Sequence, residues 1–443
     1  MALFDIWPDF GFRENPYSQE TLEANDTGDA LLAGRDSEVQ EIQRRIGSSG
    51  AHPSVEGPVG VGKTSLVNVA VYRMTKKCME ARAGQLYLPA VERFQPNSDL
   101  AEFEAGLYRV VAQTLIQYSD SFRKVGLNEP NTTALNRWLN SPEYTSWSVG
   151  GSAFGFGGQR GHGSGPNTGE GFARAGFPAA VRQVLADCFP KGTGGIVCVL
   201  DNLEIVETTG DARSRLDELR DRVFNIPELR WVLCGSRGIV SRARTERLSG
   251  IFQSPRIVGP LADESAIDAI RLRISWYGMD GAEAPVTPQG FEFIYRALNM
   301  NLRDAMSTAQ EFSQWLYDEY VGKDVDLPSA KDRDQLLEVW LAERAEKAFG
   351  DARQIQPRHW QFFEDLAARG GRAGSGEFDE FGFASQPQLV SAVTALANVN
   401  LVVREVDPEK GSRTVNAVTA AGWLVFFHRS NFAIPRPPQL PRP

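Results

Sequence analysis

The 443-residue sequence is poor in cysteine and histidine, with four of each: Cys78, Cys188, Cys198, Cys234, and His52, His162, His359, His428. No two cysteines form a CxxC pair and no two histidines stand at ligand spacing, so zinc modules and disulfide frameworks are excluded. Cys198 and Cys234 fall inside apolar runs, where a free thiol behaves as a small hydrophobe, and this usage fits a reducing, cytoplasmic compartment. No stretch approaches the ~18 uncharged apolar residues of a membrane span. The opening Met1-Ala-Leu-Phe-Asp-Ile-Trp-Pro8 lacks the basic region and apolar core of a secretory signal. Negative charge outweighs positive, 56 Asp and Glu against 47 Lys and Arg. A net charge of −9 and a pI near 5.3 argue against a surface that coats nucleic acid or anionic membrane along its whole extent.

What is present is an ordinary globular composition, 42% hydrophobic and 10% aromatic, in a chain long enough for two or three cores. After a leader and a short helix over 36–46, residues 51–260 alternate apolar strand-like runs with helical patterns, the signature of a parallel α/β sheet. Candidate strands are 85–88, 196–200, 231–234 and 256–258. Phe103, Leu107, Val110, Val111 and Leu115 mark a helix over 100–118. The pattern breaks between Ser121 and Phe177, where residues 150–171 hold ten glycines and read as a loop or a glycine-rich hairpin. From 261 to 320 the pattern is helical. Residues 326–430 read as three helices followed by an alternating hairpin, and 431–443 as a proline-rich extended tail.

One motif dominates. Gly57-Pro58-Val59-Gly60-Val61-Gly62-Lys63-Thr64 fulfils the P-loop pattern GxxxxGK[ST], continued by Ser65 and a helical run. Its glycines let backbone amides turn inward around a β-phosphate, and the next helix offers its N-terminus to the anion. Lys63 is placed to reach the outer phosphates and the Thr64 hydroxyl to ligate Mg²⁺. The preceding 51–56 segment is poor in apolar residues for a strand. Downstream, the apolar run Ile196-Val-Cys-Val-Leu200 ends in Asp201, an acid at the C-terminal edge of a buried strand, where it meets the Mg²⁺ shell.

With these residues the sequence resembles the AAA+ and STAND branch of P-loop ATPases, especially the origin-recognition-like ATPases of prokaryotes. Gly34-Arg35-Asp36-Ser37-Glu38 is similar to the box that precedes the P-loop there, which implies that Arg35 lies near the adenine. Phe12-Arg-Glu-Asn15-Pro16-Tyr17 resembles the NPF-type leader. Val232-Leu-Cys-Gly-Ser236-Arg237 resembles the strand ending in the polar sensor-1 residue, with the Ser-Arg pair typical of STAND proteins. Asn301-Leu302-Arg303-Asp304-Ala305 resembles the sensor-2 segment of a helical lid, whose arginine contacts the γ-phosphate. The resemblance spans about residues 10–320. It implies an α/β fold, a P-loop NTPase αβα sandwich with a parallel sheet, followed by a helical lid.

Two departures bear on activity. The Lys63-to-Asp201 spacing is lengthened by the glycine-rich insertion at about 121–176. Asn202 stands where such hydrolases place their water-activating glutamate, so turnover should be slow unless Glu204 or Glu207 substitutes. Arg237, Arg242, Arg244 and Arg247 offer candidates for a finger acting on a neighbour's γ-phosphate.

Residues 358–428 look like a winged helix. Its presumed recognition helix, 387–400, has no lysine or arginine; Arg404, Lys410 and Arg413 decorate the wing. From Asp326 onward, 14 Lys and Arg face 15 Asp and Glu, which predicts weak duplex-DNA binding by this module alone. The expected protein is a slow ATPase using ATP and Mg²⁺, with Lys63, Asp201, Glu204, Ser236 and Arg303 in catalytic roles. Its nucleotide state would govern homo-oligomerisation or a protein effector, by analogy in antiphage defence or signalling. The alternative is a DNA-loading ATPase of replication-initiator or transposition type.

Overall fold

The computed structural model describes residues 5–48, 50–82, 84–96, 99–140, 143–145, 164–166, 176–201, 218–235, 250–374, 376–406 and 414–431. A parallel sheet forms its centre: β1 (Ser54–Glu56), β2 (Leu86–Pro89), β3 (Gly194–Leu200), β4 (Leu229–Gly235) and β5 (Arg256–Ile257), in the order β2-β3-β4-β1-β5. The register pairs Val55 with Cys234 and Val199 with Val232.

Alternation along these strands divides the core. Leu86, Leu88, Ile196, Cys198, Leu200, Trp231 and Leu233 face one side; Val55, Tyr87, Val197, Val199, Val232 and Cys234 face the other. Strands apolar on both faces need helices on both, and the sequence provides them. Helices α1 (Asp26–Leu31), α2 (Asp36–Gly47) and α3 (Lys63–Ala81) belong to the β1 side, where α2 and α3 supply Val39, Ile42, Ile46, Leu66, Val67 and Ala70. Helices α4 (Leu100–Gln117), α5 (Ser119–Val125), α6 (Thr132–Asn140) and α7 (Phe177–Cys188) cover the opposite face. The fold is a P-loop NTPase αβα sandwich.

The expected strands appear within one or two residues of their positions. β1 forms despite its Ser and Glu: it pairs on both edges, and the Ser54 hydroxyl donates to the Gln253 carbonyl at 3.2 Å. The expected break after Ser121 is overturned in part. α5 and α6 fill its first twenty residues and bury Phe122, Val125 and Leu135 in the sheet-face core, because short amphipathic turns carry too few apolar positions to show a period. Glu143–Thr145 pairs antiparallel with Ser164–Pro166; the rest of the glycine-rich stretch lies outside the described residues.

The lid comprises α8 (Asp263–Tyr277), α9 (Pro288–Ala297) and α10 (Leu302–Glu319). Its core also receives Trp7, Phe10, Phe12 and Tyr17 from the leader, together with Leu337, Trp340, Leu341 and Ala345 of α11 (Ala330–Asp351). Tyr17 is fully buried and its hydroxyl donates to the Val286 carbonyl at 2.5 Å. Thr287 and Asn301 cap α9 and α10 with side-chain oxygens, which fixes where each lid helix starts.

The C-terminal module is a winged helix: α12 (Pro357–Ala368), β6 (Arg372–Gly374), α13 (Gln386–Asn398), β7 (Val402–Val406), β8 (Thr414–Val418) and α14 (Ala420–Asn431), with the antiparallel order β6-β8-β7. The sequence reading had no helix after the hairpin. α14 carries Leu424 into the lid core and Val425 into the module's own core. Among the described residues no helix is long and apolar enough to cross a membrane.

Candidate functional site

A cleft opens at the C-terminal ends of β1, β3 and β4. The chain crosses from β1 to β2 on one side, whereas β5 lies on the other, so this is the crevice at which open α/β sheets receive ligands. Its lining includes Val59–Ser65, Asp201, Gly235, Arg303 of the lid and the leader residues Ser18–Leu22.

The phosphate loop leaves β1 at Gly57, whose added Cβ would collide with the Val258 carbonyl. Gly60 and Gly62 take φ of +84° and +86°, the left-handed values that turn successive amides toward one concavity. α3 begins at Lys63, so its N-terminal end faces the same space. Pro58, Val59 and Val61 complete the loop; Val61 is buried and Val59 exposed. The Lys63 ammonium folds back on the loop, donating to the carbonyls of Gly57 at 3.0 Å and Pro58 at 2.8 Å.

Thr64 and Asp201, far apart in sequence, meet here. The Thr64 hydroxyl donates to Asp201 Oδ2 at 2.9 Å. The Asp201 amide in turn donates to the Phe94 carbonyl at 2.9 Å, which extends the β2 edge alongside β3. A hydroxyl and a carboxylate oxygen converging beside the loop suit Mg²⁺, which takes few protein oxygens and keeps the remainder of its shell as water and phosphate. The donor set therefore fits the ion.

Arg303, on the first turn of α10, is exposed at the cleft with its backbone amide capped by Asn301 Oδ1 at 3.1 Å. Behind it, burial pushes the Asp304 carboxyl up, against the opposing pull of Arg303. Arg35 also lines the cleft, but its guanidinium is spent on protein: it donates to Glu38 at 3.0 Å, the Gly259 carbonyl at 2.6 Å and the Val61 carbonyl at 3.4 Å. It braces the loop from behind. Ser65 does similar work, its hydroxyl oxygen accepting from the Leu22 amide at 3.0 Å.

Lys63, Thr64, Ser65, Asp201 and Arg303 are thus brought together. Asn202, Glu204, Glu207, Ser236 and the arginines at 237, 242, 244 and 247 lie outside the described residues. Sequence reasoning missed two arginines. Arg93 places Nη1 3.9 Å from Asp201 Oδ2 and donates to Thr21 Oγ1 at 3.1 Å. It follows the C-terminal end of a core strand, the signal that could have found it. Arg273, on α8, has no such signal, since an arginine within a helical pattern looks solvated.

No family model and no curated protein matches the chain. Among solved structures it is similar to the ORC1 protein of Aeropyrum pernix in complex with DNA, at 10% identity and a TM-score of 0.42, over 94% of this chain and 98% of that one. It is similar to the ORC2 protein of the same organism in ADPNP–ADP complexes, at 13% identity and a TM-score of 0.42, over 96% and 100% of the two chains. Domain III of the Thermotoga maritima replication initiation protein DnaA matches at 14% identity and a TM-score of 0.33, over 70% of this chain and 94% of that one.

Proposed function

We propose that this chain binds ATP with Mg²⁺ and hydrolyses it slowly, using the nucleotide to set the position of the lid and, through it, assembly or partner engagement. The observation that carries this reading is the convergence of Lys63, the Thr64–Asp201 pair and Arg303 on one cleft formed by the phosphate loop and the lid. Loop amides and the α3 N-terminus hold the phosphates; Lys63 moves from the Gly57 and Pro58 carbonyls to the β- and γ-oxygens. Thr64 and Asp201 hold Mg²⁺, which supplies charge neutralisation at the outer phosphates. Arg303 adds a positive charge that is useful only with the lid against the loop, so a γ-phosphate favours the closed arrangement. Glu204 is proposed as the base that orients water in place of Asn202, and Ser236 as the polar group beside it. A neighbouring copy would contribute one of the arginines between 237 and 247.

Replacing Lys63 with Ala removes the point charge between the outer phosphates. The expected result is loss of ATP binding by at least tenfold in calorimetric titration; affinity within about threefold of wild type, roughly 0.65 kcal/mol, would overturn the site.

The winged helix favours a second reading, a DNA-loading ATPase of replication-initiator type. Against it, the exposed positions of α13 are Gln386, Pro387, Gln388, Ser391, Thr394, Ala397 and Asn398, which supply no phosphate-binding cation. A salt-sensitive, ATP-dependent gel shift with duplex DNA would establish it; no shift at ~50 mM salt would remove it.

A further inference from the structure

Among the described residues three arginines are almost completely buried: Arg35, Arg273 and Arg333, at 7%, 7% and 6% exposure. Arg35 is answered by Glu38 at 3.0 Å and Arg333 by Glu283 at 2.9 Å. Arg273 is answered by no carboxylate among the described residues. Its bonded partner is neutral, the Ser18 carbonyl, 3.2 Å from Nη1. A buried cation left without an anion is costly, and proteins retain one where a ligand supplies the missing charge. Burial already pulls the Arg273 side chain toward its neutral form.

Its location says which anion. Ala269 and Arg273, one turn apart on α8, both line the cleft, so the guanidinium lies on the face turned toward the phosphate loop. Lys63, Thr64, Asp201 and Arg303 gather at the loop end. Arg273 instead grips the leader at Ser18, four residues before Leu22, whose amide is fixed to Ser65. Four residues span at most ~14 Å. Arg273 therefore stands within reach of the α3 N-terminus, on the part of the cleft lining that the leader contributes.

We propose that Arg273 binds the α-phosphate, an anion shared by ATP, ADP and AMP, and thereby holds α8 on the ligand in every nucleotide state. The guanidinium fork can give two parallel N–H groups to two phosphate oxygens while a further N–H keeps Ser18. The lid then has two arginines with separate duties. Arg273 detects that a nucleotide is present, and Arg303 detects whether it carries a γ-phosphate. This rests on the nucleotide-binding reading above.

Competition titrations of the full chain with ATP, ADP and AMP test it, using Arg273→Gln, Arg273→Lys and Arg303→Ala. Arg273→Gln should weaken all three nucleotides by a similar factor, roughly tenfold to a hundredfold for a charge-assisted pair. Arg303→Ala should weaken ATP and spare ADP. ADP affinity of Arg273→Gln within about threefold of wild type would overturn the inference, as would a loss confined to ATP. Should Arg273→Gln melt early, Arg273→Lys decides: it keeps the charge and loses the fork, so ADP should still weaken severalfold, and unchanged ADP affinity refutes the assignment. Wild-type protein that binds no nucleotide overturns both readings. Wild-type binding that depends on Lys63 but is indifferent to Arg273 overturns this one alone.

Discussion

Gly60 of the phosphate loop lies directly against Asn301, the residue that caps the lid helix α10. A Cβ built on Gly60 would stand 2.7 Å from Asn301 Oδ1 and 3.0 Å from the Arg303 Cβ. That same oxygen accepts from the amides of Arg303 and Asp304, at 3.1 and 3.3 Å. One atom thus starts the helix that presents Arg303 and sets how closely that helix approaches the loop. Lid and loop are in register through that one side-chain oxygen.

Gly60→Ala should break this register. The new methyl meets the cap, and φ of +84° costs a non-glycine residue about 1–2 kcal/mol before any contact is counted. A lowered melting temperature and at least a tenfold loss of ATP affinity are expected. Unchanged protease sensitivity of the lid together with normal ATP binding would show that the loop tolerates displacement.

Asp201→Asn tests the Mg²⁺ pair. The variant retains a hydrogen-bond acceptor for the Thr64 hydroxyl but loses the charge, so nucleotide binding in EDTA should persist while the gain on adding Mg²⁺ disappears. Arg93→Ala should act oppositely. Removing a cation 3.9 Å from the same carboxylate should lower the Mg²⁺ concentration needed for half-maximal gain. A titration of Mg²⁺ against nucleotide affinity reads both.

Arg303→Ala should separate the two nucleotide states. ATP affinity and hydrolysis fall, ADP affinity stays, and sedimentation with an ATP analogue comes to match that with ADP. Equal losses for ATP and ADP would instead assign Arg303 to a phosphate they share.

His52 gives a pH dependence. Its ring is buried behind the sheet, with Nδ1 accepting from the Trp231 amide at 3.2 Å and Nε2 donating to the Phe224 carbonyl at 2.8 Å, the neutral tautomer. Burial first, and Arg230 in addition, hold its folded pKa below the ordinary value. Above pH ~6.5 it is neutral in both states and its contribution is intact. As pH falls below that value the unfolded chain takes a proton that the fold refuses, and stability declines until the folded pKa is reached. Melting temperatures at pH 7.5, 6.5 and 5.5 should fall more steeply for wild type than for His52→Gln. Parallel curves would contradict the assignment.

Four of the five strands of the parallel sheet and the phosphate loop were legible because their physics is local, whereas β1 reads as poor for a strand. Ile196–Leu200 must be apolar to be buried on both faces, and the loop needs its glycines wherever it occurs. α14 was not legible: although Thr419 caps its start, Leu424 and Val425 divide between two cores, so no single face shows a period. Arg273 was opaque for a different reason. Among the described residues no carboxylate answers it, which only packing reveals. Arg35 was found at the cleft, yet as a brace for Val61 and Gly259, since a sequence motif cannot say which acceptors a guanidinium will choose.

The leader also dictates a timetable for synthesis. Tyr17 bonds to Val286, 269 residues later, and Phe12 shares a core with Phe291 and Phe312. At ~5–20 residues per second, the leader emerges roughly 13–54 s before its partners do. Throughout that interval Trp7, Phe10, Phe12 and Tyr17 lack their partners on the nascent chain, while the sheet can already condense. A chaperone that shields exposed aromatic segments should therefore engage ribosome-bound chains halted before residue 286 and release those halted after residue 341 has cleared the exit tunnel.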